Sequence, residues 1–210
     1  MATLHFVYGP MGAGKSHSLF CLFDQASRAS QKCALFVASP ASGGMAASVS
    51  SRTGFSTPAH PLAPDETLYP SMHCPEGNCP NIVIVDEAQF LTRAHVRQLV
   101  LLVQKEGVRV RCYGLRADVF GNSFEGSAAL MAVADTMQEL THVCSCGAIA
   151  TRTSNTLFTR PEGDETAVVD TESKAYKAEC TRCWVASMMV PGEAGDGTGT
   201  GIGMRRPAQQ

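Results

Sequence analysis

Residues 8–18 read YGPMGAGKSHS, three glycines and a lysine in a short turn directly after the apolar run LHFVY (4–8). Gly9, Pro10, Met11, Gly12, Ala13, Gly14, Lys15 and Ser16 fit the pattern G-x-x-x-x-G-K-[ST], with a strand before it and a helix after. Small residues there let backbone N–H groups converge on phosphate oxygens, and the following helix directs its positive end at them. Lys15 reaches the outer phosphates and Ser16 offers a hydroxyl to Mg²⁺. The stretch reads as a cradle for a nucleoside triphosphate.

Outward from the turn, TLHFVY (3–8) is a buried strand, and residues 14–29 carry Leu19, Leu22, Phe23 and Ala26 at helical spacing. CALFVA (33–38) and NIVIV (81–85) are further strands. TRAHVRQLVLLVQKEG (92–107) is a helix with a glycine stop, followed by the strand VRVRCYGL (108–115). This alternation predicts a parallel sheet flanked by helices. Residues 39–80, rich in Ser, Ala, Gly and Pro, read as loops over the core.

A P-loop needs an acid near its metal, and a hydrophobic strand ending in aspartate supplies it, here Ile82–Val85 followed by Asp86. Glu87, its neighbour, faces another direction at the strand end, where it can take a proton from a hydroxyl or orient a water. The first choice makes a kinase and the second an ATPase.

The chain has 210 residues, 44% of them hydrophobic, enough for one full domain and a smaller appendage. Its net charge of -2, with scattered Lys and Arg, gives no polyanion-binding surface, so no nucleic-acid partner is expected. No apolar stretch is long enough to span a membrane, and MATLHFVYGP lacks the pattern of a secretory signal, so a cytoplasmic protein is expected. Nine cysteines without an export signal argue for thiols and metal ligands over disulfides. Cys21, Cys33 and Cys112 read as small buried hydrophobes. Cys144 with Cys146 and Cys180 with Cys183 form two close pairs, compatible with one tetrahedral structural zinc site. Cys74 and Cys79, near His73, read as ordinary loop thiols. The Gly-rich tail from 191 is predicted to be disordered.

GPMGAGKS, VDEAQFL, CYGLRADVFGNSFEGS, CSCGAIA and the final Y-x-x-x-C-x-x-C, in order from about Thr3 to Met189, resemble the type II thymidine kinase family. The resemblance implies a P-loop NTPase-like, RecA-like α/β domain over 1–140, a zinc-ribbon and lasso domain over 141–190, and the tail 191–210. It implies transfer of the γ-phosphate of ATP to the 5′-hydroxyl of thymidine or deoxyuridine with Mg²⁺, with structural Zn²⁺ and a homotetrameric assembly. In that pattern Glu87 is the catalytic carboxylate, and Phe90 stacks on the base. Met11, Leu115, Phe124 and Thr153 line the thymine pocket, and Tyr176 packs over the nucleoside. Arg52, in SSRTG, matches a segment that contacts phosphates. Thr171 and Glu172 stand where the family carries a glycine pair, and Val119 where it carries phenylalanine. The rival expectation is a P-loop ATPase that uses Glu87 to orient water and couples hydrolysis to DNA or a protein partner.

Overall fold

The computed structural model describes residues 1–40, 48–50, 54, 56–68, 79–155 and 176–188. Arg52, His73, Cys74, Thr171, Glu172 and the tail from 191 lie outside the described residues.

Strand β1 (Leu4–Tyr8) leads through the glycine-rich turn into α1 (Lys15–Arg28) and returns as β2 (Cys33–Ala38). Three short strands follow, β3 (Ser48–Ser50), β4 (Ser56–Pro58) and β5 (His60–Leu62). The buried strand β6 (Ile82–Asp86) ends in a single 3-10 turn over Ala88–Phe90, and α2 (Arg93–Glu106) connects it to β7 (Arg109–Gly114). Then come α3 (Glu125–Val133), β8 (Thr136–Glu139), β9 (His142–Val143), β10 (Ile149–Ala150), β11 (Arg152–Asn155), β12 (Tyr176–Glu179) and α4 (Thr181–Met188).

The main sheet has six strands in the order β5-β2-β6-β7-β1-β8, all parallel. Its inner strands β2 and β6 read as near-continuous apolar runs because helices cover both faces. Phe6, Phe36, Val83, Val85 and Val110 face one core cluster with Val96, Leu99 and Leu102 of α2 and Leu130 of α3. Val7, Leu35, Ile82, Ile84 and Tyr113, their alternates, face the other with Leu19 and Ala26 of α1. Each fully buried aliphatic side chain contributes roughly 2 kcal/mol of transfer free energy.

Local chemistry sets the helix ends. Thr92 caps α2, its hydroxyl accepting the His95 N–H at 3.2 Å, while His95 Nδ1 accepts the Thr92 N–H at 3.3 Å. The buried His95 then donates from Nε2 to the Glu66 carbonyl at 2.7 Å. Gly107, with φ 65°, stops the helix in the left-handed conformation glycine favours.

Four expectations need correction. Residues 39–80 are not all loop, because β5 is an edge strand of the main sheet, paired with β2 through Phe36–His60 to Ala38–Leu62. Pro61 hides it, since proline suits only edge strands. Cys21 is exposed, with Sγ 3.6 Å from His17 Nε2, so it is no core residue. Cys33 is only partly buried, although burial pushes its thiol up to about 11. Cys112 is fully buried as expected, whereas Cys79, expected to be an ordinary loop thiol, is disulfide-bonded and packs against the first core cluster. No described helix is long and apolar enough to cross a membrane.

Candidate active site

In a parallel sheet the carboxyl ends of the strands share one edge, and ligands bind there. The phosphate loop leaves that edge after β1, and Asp86 leaves it after β6, with β7 between the two strands. Gly12 (φ 78°) and Gly14 (φ 87°) take left-handed conformations that curl the loop into the start of α1. Gly9 has no room for a side chain, since a Cβ would lie 2.2 Å from the Leu140 carbonyl oxygen. Leu140 N–H in turn donates to Tyr8 O at 2.7 Å, so the segment after β8 lies along the loop. Lys15 Nζ donates to Gly9 O at 3.1 Å and Pro10 O at 2.9 Å, which holds the ammonium on the loop, and Ser16 follows it in the first turn of α1.

Asp86 is buried, and its Oδ1 accepts the Glu87 N–H at 3.0 Å. Burial, together with the neighbouring Glu87 charge, pushes its carboxyl up to about 7, against the opposing pull of that N–H and of Lys15. Glu87 has φ 51°, a left-handed conformation that is strained for a residue with a Cβ. Its carboxylate is aimed: Gln89 Nε2 donates to Glu87 Oε2 at 2.6 Å, while Gln89 Oε1 accepts the Leu115 N–H at 3.0 Å. Gln89 is buried, and the sequence reading passed over it. The available signal was an amide inside the otherwise apolar AQFL directly after the acids.

Leu115 and Phe124 pack with Met11, Phe90 and Tyr176 in one apolar cluster beside the loop. Phe90 and Phe124 meet edge to face, with centroids 5.8 Å apart. Thr153 is buried, and its hydroxyl accepts the Met11 N–H at 3.1 Å. The structure therefore brings together all six residues expected around a nucleoside, from five separate stretches of chain. Val119 is buried without the bulk of a ring, and its carbonyl accepts the Trp184 indole N–H at 2.8 Å.

The thiols of Cys144, Cys146, Cys180 and Cys183 lie within 4.8 Å of one another, and Cys146 Sγ is 3.6 Å from Cys180 Sγ. A tetrahedron with zinc–sulfur bonds of about 2.3 Å has edges of about 3.8 Å, so the set fits Zn²⁺. A turn supplies the first pair, with Cys144 N–H donating to Ala148 O and Gly147 N–H to Cys144 O, both at 2.8 Å. The second pair straddles the start of α4. Backbone N–H groups of Cys146 and Cys180 pull the Cys144 thiol down to about 6, as suits a thiolate ligand, while hydrogen bonds with the other sulfurs, Cys146 first, push Cys183 up to about 12. With four protein ligands the site has no open position for a substrate.

A parallel sheet with a glycine-rich loop after its first strand and a buried acid at the same edge defines the P-loop nucleoside-triphosphate class, here with a four-cysteine cluster that can hold a metal. The thymidine kinase family model matches residues 2–184. The chain belongs to the thymidine kinase family. The thymidine kinase of Novosphingobium aromaticivorans is 39% identical over 152 residues, which cover 72% of this chain and 79% of the relative. That of Rhizobium etli is 35% identical over 188 residues, covering 88% and 94% respectively. That of a Jannaschia species is 40% identical over 154 residues, covering 72% and 78%.

Proposed function

We propose that this protein is a cytoplasmic thymidine kinase of pyrimidine salvage, transferring the γ-phosphate of ATP to the 5′-hydroxyl of thymidine or deoxyuridine. The observation that supports the reading is the Gln89-held carboxylate of Glu87, next to Asp86 at the end of β6, on the sheet edge that the phosphate loop also leaves. The loop amides and Lys15 hold the triphosphate. Glu87 accepts the proton of the 5′-hydroxyl as its oxygen bonds to the γ-phosphorus; the bond to the β–γ bridging oxygen breaks, and ADP leaves. Phe90, with Met11, Leu115, Phe124, Thr153 and Tyr176, fixes the nucleoside, and positioning supplies most of the rate. Ser16 and Asp86 are the residues that would hold Mg²⁺, which would supply charge neutralisation on the phosphate oxygens. Zn²⁺ on the four cysteines is structural, and Arg52 is a phosphate contact. The assembly is a homotetramer, with no nucleic acid and no membrane among its partners.

The test is a nucleoside panel with ATP and Mg²⁺, reading products by mass. A phosphorylated thymidine is expected. Hydrolysis of ATP without nucleoside product, stimulated by DNA or a protein, would give the protein to the ATPase reading instead.

A further inference from the structure

The side chain of Gln89 joins two parts of the chain that lie far apart in sequence. It is buried, in the turn after β6. Its Oε1 accepts the Leu115 N–H at 3.0 Å, and its Nε2 donates to Glu87 Oε2 at 2.6 Å. A backbone N–H can only donate, so Leu115 fixes which end of the amide is oxygen and leaves the NH₂ group facing the carboxylate. Leu115 is pinned from its other side as well, because the buried Ser127 hydroxyl of α3 donates to its carbonyl.

Glycines make the slot in which the amide sits. A Cβ at Gly114, the last residue of β7, would lie 2.8 Å from Gln89 Oε1 and 3.0 Å from its backbone nitrogen. One at Gly126 would lie 2.9 Å from the Gln89 carbonyl oxygen. The end of β7 and the start of α3 therefore close on Gln89 from two directions and leave its amide little room to turn. Glu87 depends on that amide. Its backbone N–H goes to Asp86 Oδ1, and among the described residues no other group donates to its carboxylate. Oε1 is then the oxygen without a donor.

An alcohol and a water molecule present the same kind of oxygen to a γ-phosphorus, so the choice between them is a matter of aim. With the alcohol, its oxygen bonds to phosphorus, the bond to the bridging oxygen breaks, the hydroxyl proton passes to the carboxylate and ADP leaves; water in the same place gives inorganic phosphate and ADP. We propose that Gln89 is the positioning residue that decides the acceptor: by tying the Glu87 carboxylate to the backbone of Leu115, it keeps the base in register with a nucleoside hydroxyl and off water. The proposal rests on the thymidine kinase reading, in which Leu115 walls the base and Glu87 takes the 5′-hydroxyl proton.

Two variants test it. Gln89→Glu keeps the size and the acceptor for Leu115 N–H but puts an oxygen where the donor faced Glu87. Gly114→Ala crowds the amide and leaves Gln89 and Glu87 in the chain. Each receives saturating thymidine with ATP and Mg²⁺, and ADP and thymidylate are both counted. The unchanged protein is expected to form about one thymidylate per ADP. In each variant thymidylate formation is expected to fall about tenfold to a hundredfold, the value of one hydrogen bond to a charged group, with the thymidine KM within about twofold. ADP is expected to exceed thymidylate by about twofold or more, as water takes the phosphoryl group. The ratio belongs to the molecules that turn over, so a partly unfolded preparation does not move it. A ratio that stays near one in either variant overturns the proposal, and so does a loss confined to KM. Absence of thymidylate from the unchanged protein removes the kinase reading itself, whereas thymidylate with an unmoved ratio in the variants removes only the role of Gln89.

Discussion

Glu87 shows what a single residue contributes. Its left-handed backbone costs about 1–2 kcal/mol, and the bond from Gln89 fixes its carboxylate. Glu87→Gln is expected to lower kcat by about 10²–10⁴-fold, as loss of a general base does, with ATP affinity nearly unchanged in direct titration. Unaltered turnover would exclude it as the base. Asp86 gives a pH signature. Its folded carboxyl titrates near 7, above the 3.8 of the unfolded chain, so the folded state binds the extra proton between those values. This contribution is fully present below about pH 4, is lost as pH rises through 7, and stays lost above. Between pH 6 and pH 8 the ligand-free protein should lose about 1 kcal/mol that Asp86→Asn does not lose. Denaturant titrations of both at the two pH values check this; parallel losses would show that Asp86 is ionised throughout.

At the scale of elements, the packing of α3 on the 88–91 turn is decisive. A Cβ at Gly126 would lie 2.5 Å from Ala88 O and 2.7 Å from Leu91 O, both backbone atoms that cannot step aside. Gly126→Ala should cost about 1–3 kcal/mol by overpacking and, by moving Gln89 and Phe90, reduce kcat as well. A stable variant with normal turnover would contradict that coupling. Element by element, legibility in the sequence tracks locality. The phosphate loop, β6 and α2 declare themselves because glycines, a buried apolar run and a Thr cap with a Gly stop act within a few residues. The helix α3 does not, since EGSAALMAV is small and weakly amphipathic, and β8 does not, since all four of its residues are exposed. The apolar cluster beside the loop is assembled by long-range packing, so its members were visible only through the family resemblance. The link from Gln89 to Leu115 N–H was not visible at all.

For the molecule as a whole, the edge of the main sheet at β8 bears on assembly. An exposed strand edge carrying Met137, more than half exposed, is a surface other chains can extend. Met137→Lys should shift the mass measured by light scattering toward smaller species if this edge takes part in the proposed tetramer, and leave it unchanged otherwise.

The stem that carries the cysteine knuckle is also the outer wall of the phosphate loop: Leu140 closes on Gly9, His142 faces Gly12, and Thr153 holds Met11. Stripping zinc therefore loosens more than a distant staple. Chelation should weaken binding of a fluorescent ATP analogue severalfold even with thymidine absent. Equal affinity before and after chelation would mean the loop keeps its shape unaided. If the four cysteines hold zinc as proposed, a cell short of the metal would lose part of its grip on the phosphate donor, tying DNA-precursor recovery to metal supply.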